Sequence, residues 1–189
     1  MRRRFGIAAA ALFALTLFGP PARADKIDDA QAAFADFDDA GAIKLLDQVI
    51  AEGGADKRRL ALAYFNRGEV YAAKGGSDQA LSDFTAALAL PQDDNERALT
   101  LLSRAEALNK RNRSQEALQD YDASLALAPD QLGVHTARAG VYQKLGDKDA
   151  ALADFETELK LHPKYYRALV GRAVMLDLPL PPDPTKGRR

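Results

Sequence analysis

Four arginines recur at matching places in the chain, Arg67, Arg104, Arg138 and Arg172, and an aspartate follows each of the first three after sixteen residues, at Asp83, Asp120 and Asp154. A guanidinium fork binds carboxylates and phosphates through two parallel hydrogen bonds. The pattern therefore has two chemical readings. Unpaired, the arginines would form a track for anions; paired with the aspartates, they would form an internal ladder that fixes the register of repeated elements. An acid at matching register beside each of the first three arginines favours the ladder. Its pairs could form within one element pair or from the aspartate of one pair to the arginine of the next, and Arg172, which has no following aspartate, favours the second arrangement. Other reactive chemistry is sparse. The two histidines, His135 and His162, have no companion at metal-ligand or triad spacing, and the chain has no cysteine nucleophile. Gly75-Gly76 joins two helical patterns rather than a strand to a helix, so it is no phosphate loop. The expectation is a protein without catalytic residues, metal ligands or cofactors, and not an enzyme.

The elements that would position these side chains are read most clearly between Ala61 and Gln92. Tyr64, Gly68 and Tyr71 fall at helical spacing before Gly75-Gly76, and Ala80, Phe84, Ala87 and Leu88 do so after it, with Pro91 as a stop. Gly68 and Ala80 would let two helix backbones approach closely, with the rings of Tyr71 and Phe84 filling the remaining space. Such a hairpin leaves an apolar face that needs a neighbour of its own kind.

The copies are present. Ala42, Ala80, Ala117 and Ala151 are separated by 38, 37 and 34 residues. Residues 25–56 read as a degenerate first helix pair, and 57–178 as three full units, 61–94, 98–131 and 132–165, followed by a lone helix over 166–178. Pro179, Pro181, Pro182 and Pro184 make residues 179–189 an extended tail.

This arrangement resembles the tetratricopeptide repeat family, whose 34-residue unit pairs small and large residues at fixed places. The signature is carried by Gly68, Tyr71, Ala80, Phe84 and Pro91, then by Ala105, Leu108, Ala117, Tyr121 and Pro129, then by Ala139, Tyr142, Ala151, Phe155 and Pro163. The resemblance implies an all-α, right-handed α-solenoid of antiparallel helix pairs, about nine helices in all, with a concave surface lined by the first helix of each pair. Carried over position by position, that surface is Leu62, Phe65, Asn66, Glu69 and Ala73, then Leu99, Leu102, Ser103, Glu106 and Lys110, then Gly133, Thr136, Ala137, Gly140 and Lys144. Its apolar members suit a peptide segment or an amphipathic helix, with Glu69 and Glu106 on the rim. The family's clamp for chaperone C-termini is not reproduced: Asn66 matches one contact, whereas Ile27, Gln31, Leu99 and Ser103 replace the others.

The first 24 residues read differently. Arg2, Arg3 and Arg4 precede an apolar run from Phe5 to Phe18 and a small-x-small site at Ala22-Arg23-Ala24, which predicts a signal peptide cleaved before Asp25. The run is shorter than the ~20 residues of a membrane span, so no stable membrane insertion is expected. Cleavage takes four of the 26 basic residues and none of the 27 acidic ones, leaving 22 against 27, a net charge of −5. That balance disfavours nucleic acid as a partner. The expected protein is a bacterial, periplasmic or secreted scaffold that binds a protein or peptide partner. The alternatives are a homodimer assembled through the terminal helix and a non-catalytic subunit of an envelope-biogenesis complex.

Overall fold

The computed structural model describes residues 25–184, which form α-helices and no strand. The predicted signal peptide and the last five residues of the tail lie outside that range. Nine helices are found among the described residues: α1 (Lys26–Ala35), α2 (Asp39–Glu52), α3 (Lys57–Ala73), α4 (Ser77–Leu88), α5 (Asp94–Lys110), α6 (Ser114–Leu127), α7 (Val134–Leu145), α8 (Lys148–Leu161) and α9 (Tyr166–Met175). The chain divides into two compact units at Asp93 and Asp94.

In the first unit, α1 pairs with α2 and α3 with α4. The starts of α1, α2 and α3 have a local cause. The Asp25 carboxylate accepts from Ile27 N at 3.2 Å, that of Asp38 from Gly41 N at 2.8 Å and that of Asp56 from Arg59 N at 3.0 Å, satisfying amides that a helix N-terminus leaves unpaired. Ile27, Ala30, Ala42, Leu46 and Val49 form a core with Ala63 and Val70 of α3. Gly68 performs the expected close approach: a Cβ there would lie 2.6 Å from Phe84 Cε1, and Phe84 is fully buried.

In the second unit, α5 pairs with α6, α7 with α8, and α9 packs on α8. Ser124 Oγ donates to the Ala98 carbonyl at 2.8 Å, tying α6 to α5. Ala139, Ala151, Phe155 and Ala168 make a core. Phe155 also lies over Gly171, whose Cβ would come within 2.3 Å of its ring, so one ring joins a helix pair to the helix that follows it.

The hairpin turns share one backbone solution. Phe37, Gly75, Asn112 and Gly146 all have positive φ, at 66°, 81°, 60° and 82°. The next amide donates to the carbonyl five residues back in each case, from Asp38 to Ala33, Gly76 to Tyr71, Arg113 to Leu108 and Asp147 to Tyr142. This left-handed cap satisfies the last carbonyls of a helix while reversing the chain. A similar cap ends α9 early. Asp177 has φ 52° and Leu178 N donates to the Ala173 carbonyl at 2.9 Å, so the last helix stops at Met175 rather than running to residue 178.

Candidate binding surface

The first helices α3, α5 and α7 carry the residues expected on the binding surface, and the structure sorts them. On α3, Leu62 is exposed at 38%. Phe65 is half-buried, with its ring 6.0 Å from that of Phe84 at 45°, and so serves the core as well as the surface. Asn66 is only 9% exposed. Its Nδ2 donates to the Leu62 carbonyl at 2.8 Å and its Oδ1 accepts from Gln31 Nε2 at 3.1 Å. Asn66 therefore does not present a free amide; it ties α3 to α1. Glu69 is half-buried.

On α5, Leu99 is half-buried and Leu102 is 6% exposed. Leu102 is a core residue, not a wall of the surface, because helical spacing reports which face a residue shares but not what covers that face. Glu106 is half-buried, and burial pushes its carboxyl above the ordinary glutamate value, with Lys110 and Arg167 opposing the shift. On α7, Lys144 Nζ donates to the Asn109 carbonyl at 3.1 Å and to Asn112 Oδ1 at 2.6 Å, linking α7 to the end of α5. Gly140, in the middle of α7, has nothing within 4 Å of the place its Cβ would occupy.

The arginine and aspartate registers meet within helix pairs. Arg67 Nε and Nη2 donate to the two Asp83 oxygens at 2.8 and 2.7 Å. Arg104 makes the same fork on Asp120 at 2.7 and 2.8 Å, and Arg138 on Asp154 at 2.8 and 2.6 Å. This corrects the preference for pairing each aspartate with the next arginine: the hairpin turn brings residues sixteen apart face to face. A second acid reaches back to the preceding pair in two cases. Arg67 Nη1 donates to Asp47 of α2 at 2.6 Å and Arg138 Nη1 to Asp122 of α6 at 2.5 Å. Arg172 makes no side-chain hydrogen bond or ion pair with the described residues. The Arg67 guanidinium also lies 5.6 Å from the centre of the Tyr64 ring, and that of Arg138 5.9 Å from Tyr142, at cation–π range. Asp47 and Asp122 were findable, since each stands five residues after the small residue of its helix and Glu156 keeps an acid at that register, but Thr85 interrupts the rule.

Both histidines bond to acids. His135 Nδ1 donates to Asp154 at 3.2 Å and His162 Nδ1 to Glu158 at 2.9 Å. Glu158 is fully buried and also accepts from Gly133 N at 2.9 Å, so it caps α7 from α8. No other unit has an acid at that register, which is why repetition did not reveal it. Among the described residues no cluster of histidine and carboxylate side chains could hold a metal ion, and no helix is long and apolar enough to cross a membrane.

Residues 132–165 match the tetratricopeptide repeat family. No curated protein matches the chain in sequence. Among solved structures, the crystal structure of MamA protein has a TM-score of 0.70 at 18% identity, over 80% of this chain and 79% of that one. A tetratricopeptide repeat protein from Parabacteroides merdae ATCC 43184 gives 0.69 at 24% identity, over 79% and 57%. YrrB, described as a TPR protein with an unusual peptide-binding site, gives 0.66 at 19% identity, over 80% and 75%. At these identities the likeness is one of fold.

Proposed function

We propose that this chain, which carries a tetratricopeptide repeat over residues 132–165 and shares the fold of such proteins, is a non-catalytic scaffold, exported to the periplasm or beyond, that holds a peptide segment or helix of another protein against α5 and α7. The observation that carries this reading is Gly140. A mid-helix glycine costs about 1 kcal/mol relative to alanine, and nothing in the fold lies close enough to require one there. The open space over α7 suits the close approach of a partner's backbone. Half-buried Leu99 of α5 offers apolar contact. Glu106, held partly out of water, favours a partner that brings a basic group. The peptide-binding site named for YrrB is in keeping with such a role. The predicted signal peptide supports export, and the acidic balance of the chain supports a protein partner rather than nucleic acid.

The test is a crosslinking pull-down with the wild-type chain beside Leu99→Glu and Gly140→Lys variants, each shown by circular dichroism to remain helical. A partner held by the wild type and released by the variants supports the surface. Equal capture by all three would remove it.

A further inference from the structure

In three helix pairs the first helix presents an arginine, then a small residue, then a large one three residues later: Arg67, Gly68 and Tyr71; Arg104, Ala105 and Leu108; Arg138, Ala139 and Tyr142. The second helix answers each time with a small residue, an aspartate three residues on and an aromatic ring directly after it: Ala80, Asp83 and Phe84; Ala117, Asp120 and Tyr121; Ala151, Asp154 and Phe155. The guanidinium fork on the aspartate is the same in all three.

Helix α9 presents the first half of this lock a fourth time, as Arg172, Ala173 and Leu176, and no helix follows it among the described residues. The consequences are visible. Arg172 has no ion-pair partner among the described residues, and Leu176 is 44% exposed where its counterpart Leu108 is 5% exposed. The proline segment folds back along α9, with Tyr166 Oη donating to the Pro181 carbonyl at 3.3 Å. Ala173 is only 6% exposed, while Leu178 and Leu180 stay 51% and 63% exposed, and the segment brings Arg172 no carboxylate.

We infer that this face of α9 receives an amphipathic helix from a partner protein, one carrying a small residue, an aspartate three residues later and an aromatic residue next to that aspartate. The partner's aspartate takes the Arg172 fork and its aromatic ring lies on Ala173, as that of Phe84 lies on Gly68, beside Leu176. The proline segment is displaced as the helix docks. Charge complementarity selects an acidic helix, because an unpaired guanidinium beside an apolar strip gains most from a carboxylate that arrives with its own apolar neighbours.

The α8 sequence, residues 148–161, supplies a probe of the required type. A fluorescent peptide of that sequence is titrated with the full chain and followed by anisotropy. Saturable binding is expected, weakened about tenfold or more by Asp154→Asn in the peptide or by Arg172→Gln in the chain, and weakened also by Leu176→Glu. Tyr166→Phe, which releases Pro181, is expected to strengthen it. Because Arg172 has no ion-pair partner among the described residues, Arg172→Gln should leave the thermal midpoint unchanged. Binding indifferent to both Arg172→Gln and Asp154→Asn would mean that the peptide merely displaces the chain's own α8, and would overturn the inference. So would the absence of peptide binding combined with self-association, read by sedimentation, that Leu176→Glu abolishes; the occupant would then be a second copy of the chain.

Discussion

The Arg138 fork shows how much one residue can anchor. Arg138 binds Asp154 through two bonds, Asp122 through a third, and lies beside the Tyr142 ring. Truncating it leaves the Asp154 carboxylate, which is only 4% exposed, with the His135 bond alone. Arg138→Ala is therefore expected to cost about 3 kcal/mol, measured by urea unfolding. Asp154 itself carries a pH signature. Burial works against its charge, but hydrogen bonds from Arg138 and His135 outweigh burial and hold the carboxyl below the ordinary aspartate value. A folded-state value below the unfolded one, about 3.9, means stabilisation that is fully present above that pH and is lost as pH falls through the folded value. The unfolding midpoint should hold steady from neutrality to about pH 5 and decline below about pH 4. Asp154→Asn, already weakened, should decline less steeply over that acid range; an unchanged slope would show that the group is not responsible.

Helices and their turns were the most legible level of the chain. Repeated small and large residues at fixed spacing marked each helix, and the same spacing placed Gly68 against Phe84. Burial was not legible in the same way. Asn66 and Leu102 occupy surface register yet are buried, because what covers a face is decided by neighbouring helices. The end of α9 was also hidden, since Leu176 and Leu178 continue the apolar pattern while Asp177 turns the backbone left-handed. Two glycines separate backbone need from open space. Gly146 has φ 82° and nothing near its Cβ position, so Gly146→Ala should cost about 1 kcal/mol from backbone strain alone. Gly140 has no such φ and equal room, so Gly140→Ala should raise stability by up to about 1 kcal/mol while weakening partner capture. Thermal midpoints of the two variants should move in opposite directions.

At the scale of the whole molecule, stability comes from packing between neighbours, because the chain has no cysteine to crosslink it. Within the second unit, α7 adjoins α5, α6, α8 and α9, whereas α9 rests on α8 and touches α7. Opening free energy should therefore be lowest there. In native-state hydrogen exchange, amides of α9 are expected to exchange well before those of α7 and α8, and equal protection would contradict this ordering. The four arginines, spread over both compact units, were read from the sequence as one ladder. The structure makes Arg67, Arg104 and Arg138 local clasps, two of which reach a second helix pair within the same unit, and leaves Arg172 without an acid among the described residues.

The constant interval of sixteen residues between fork and carboxylate, set beside periods of 38, 37 and 34, also says where the chain can change length. Variation has accumulated outside the stretch from each arginine to its aspartate, as if the hairpin turn were a fixed word and the stretches outside it free spacing. Extra residues placed at Pro91 and Gln92 should be absorbed with little loss, while the same insertion at Gly75 and Gly76 would pull Asp83 out of reach of Arg67 and open the hairpin. A family of insertion variants, ranked by their unfolding midpoints, would trace that punctuation along the chain.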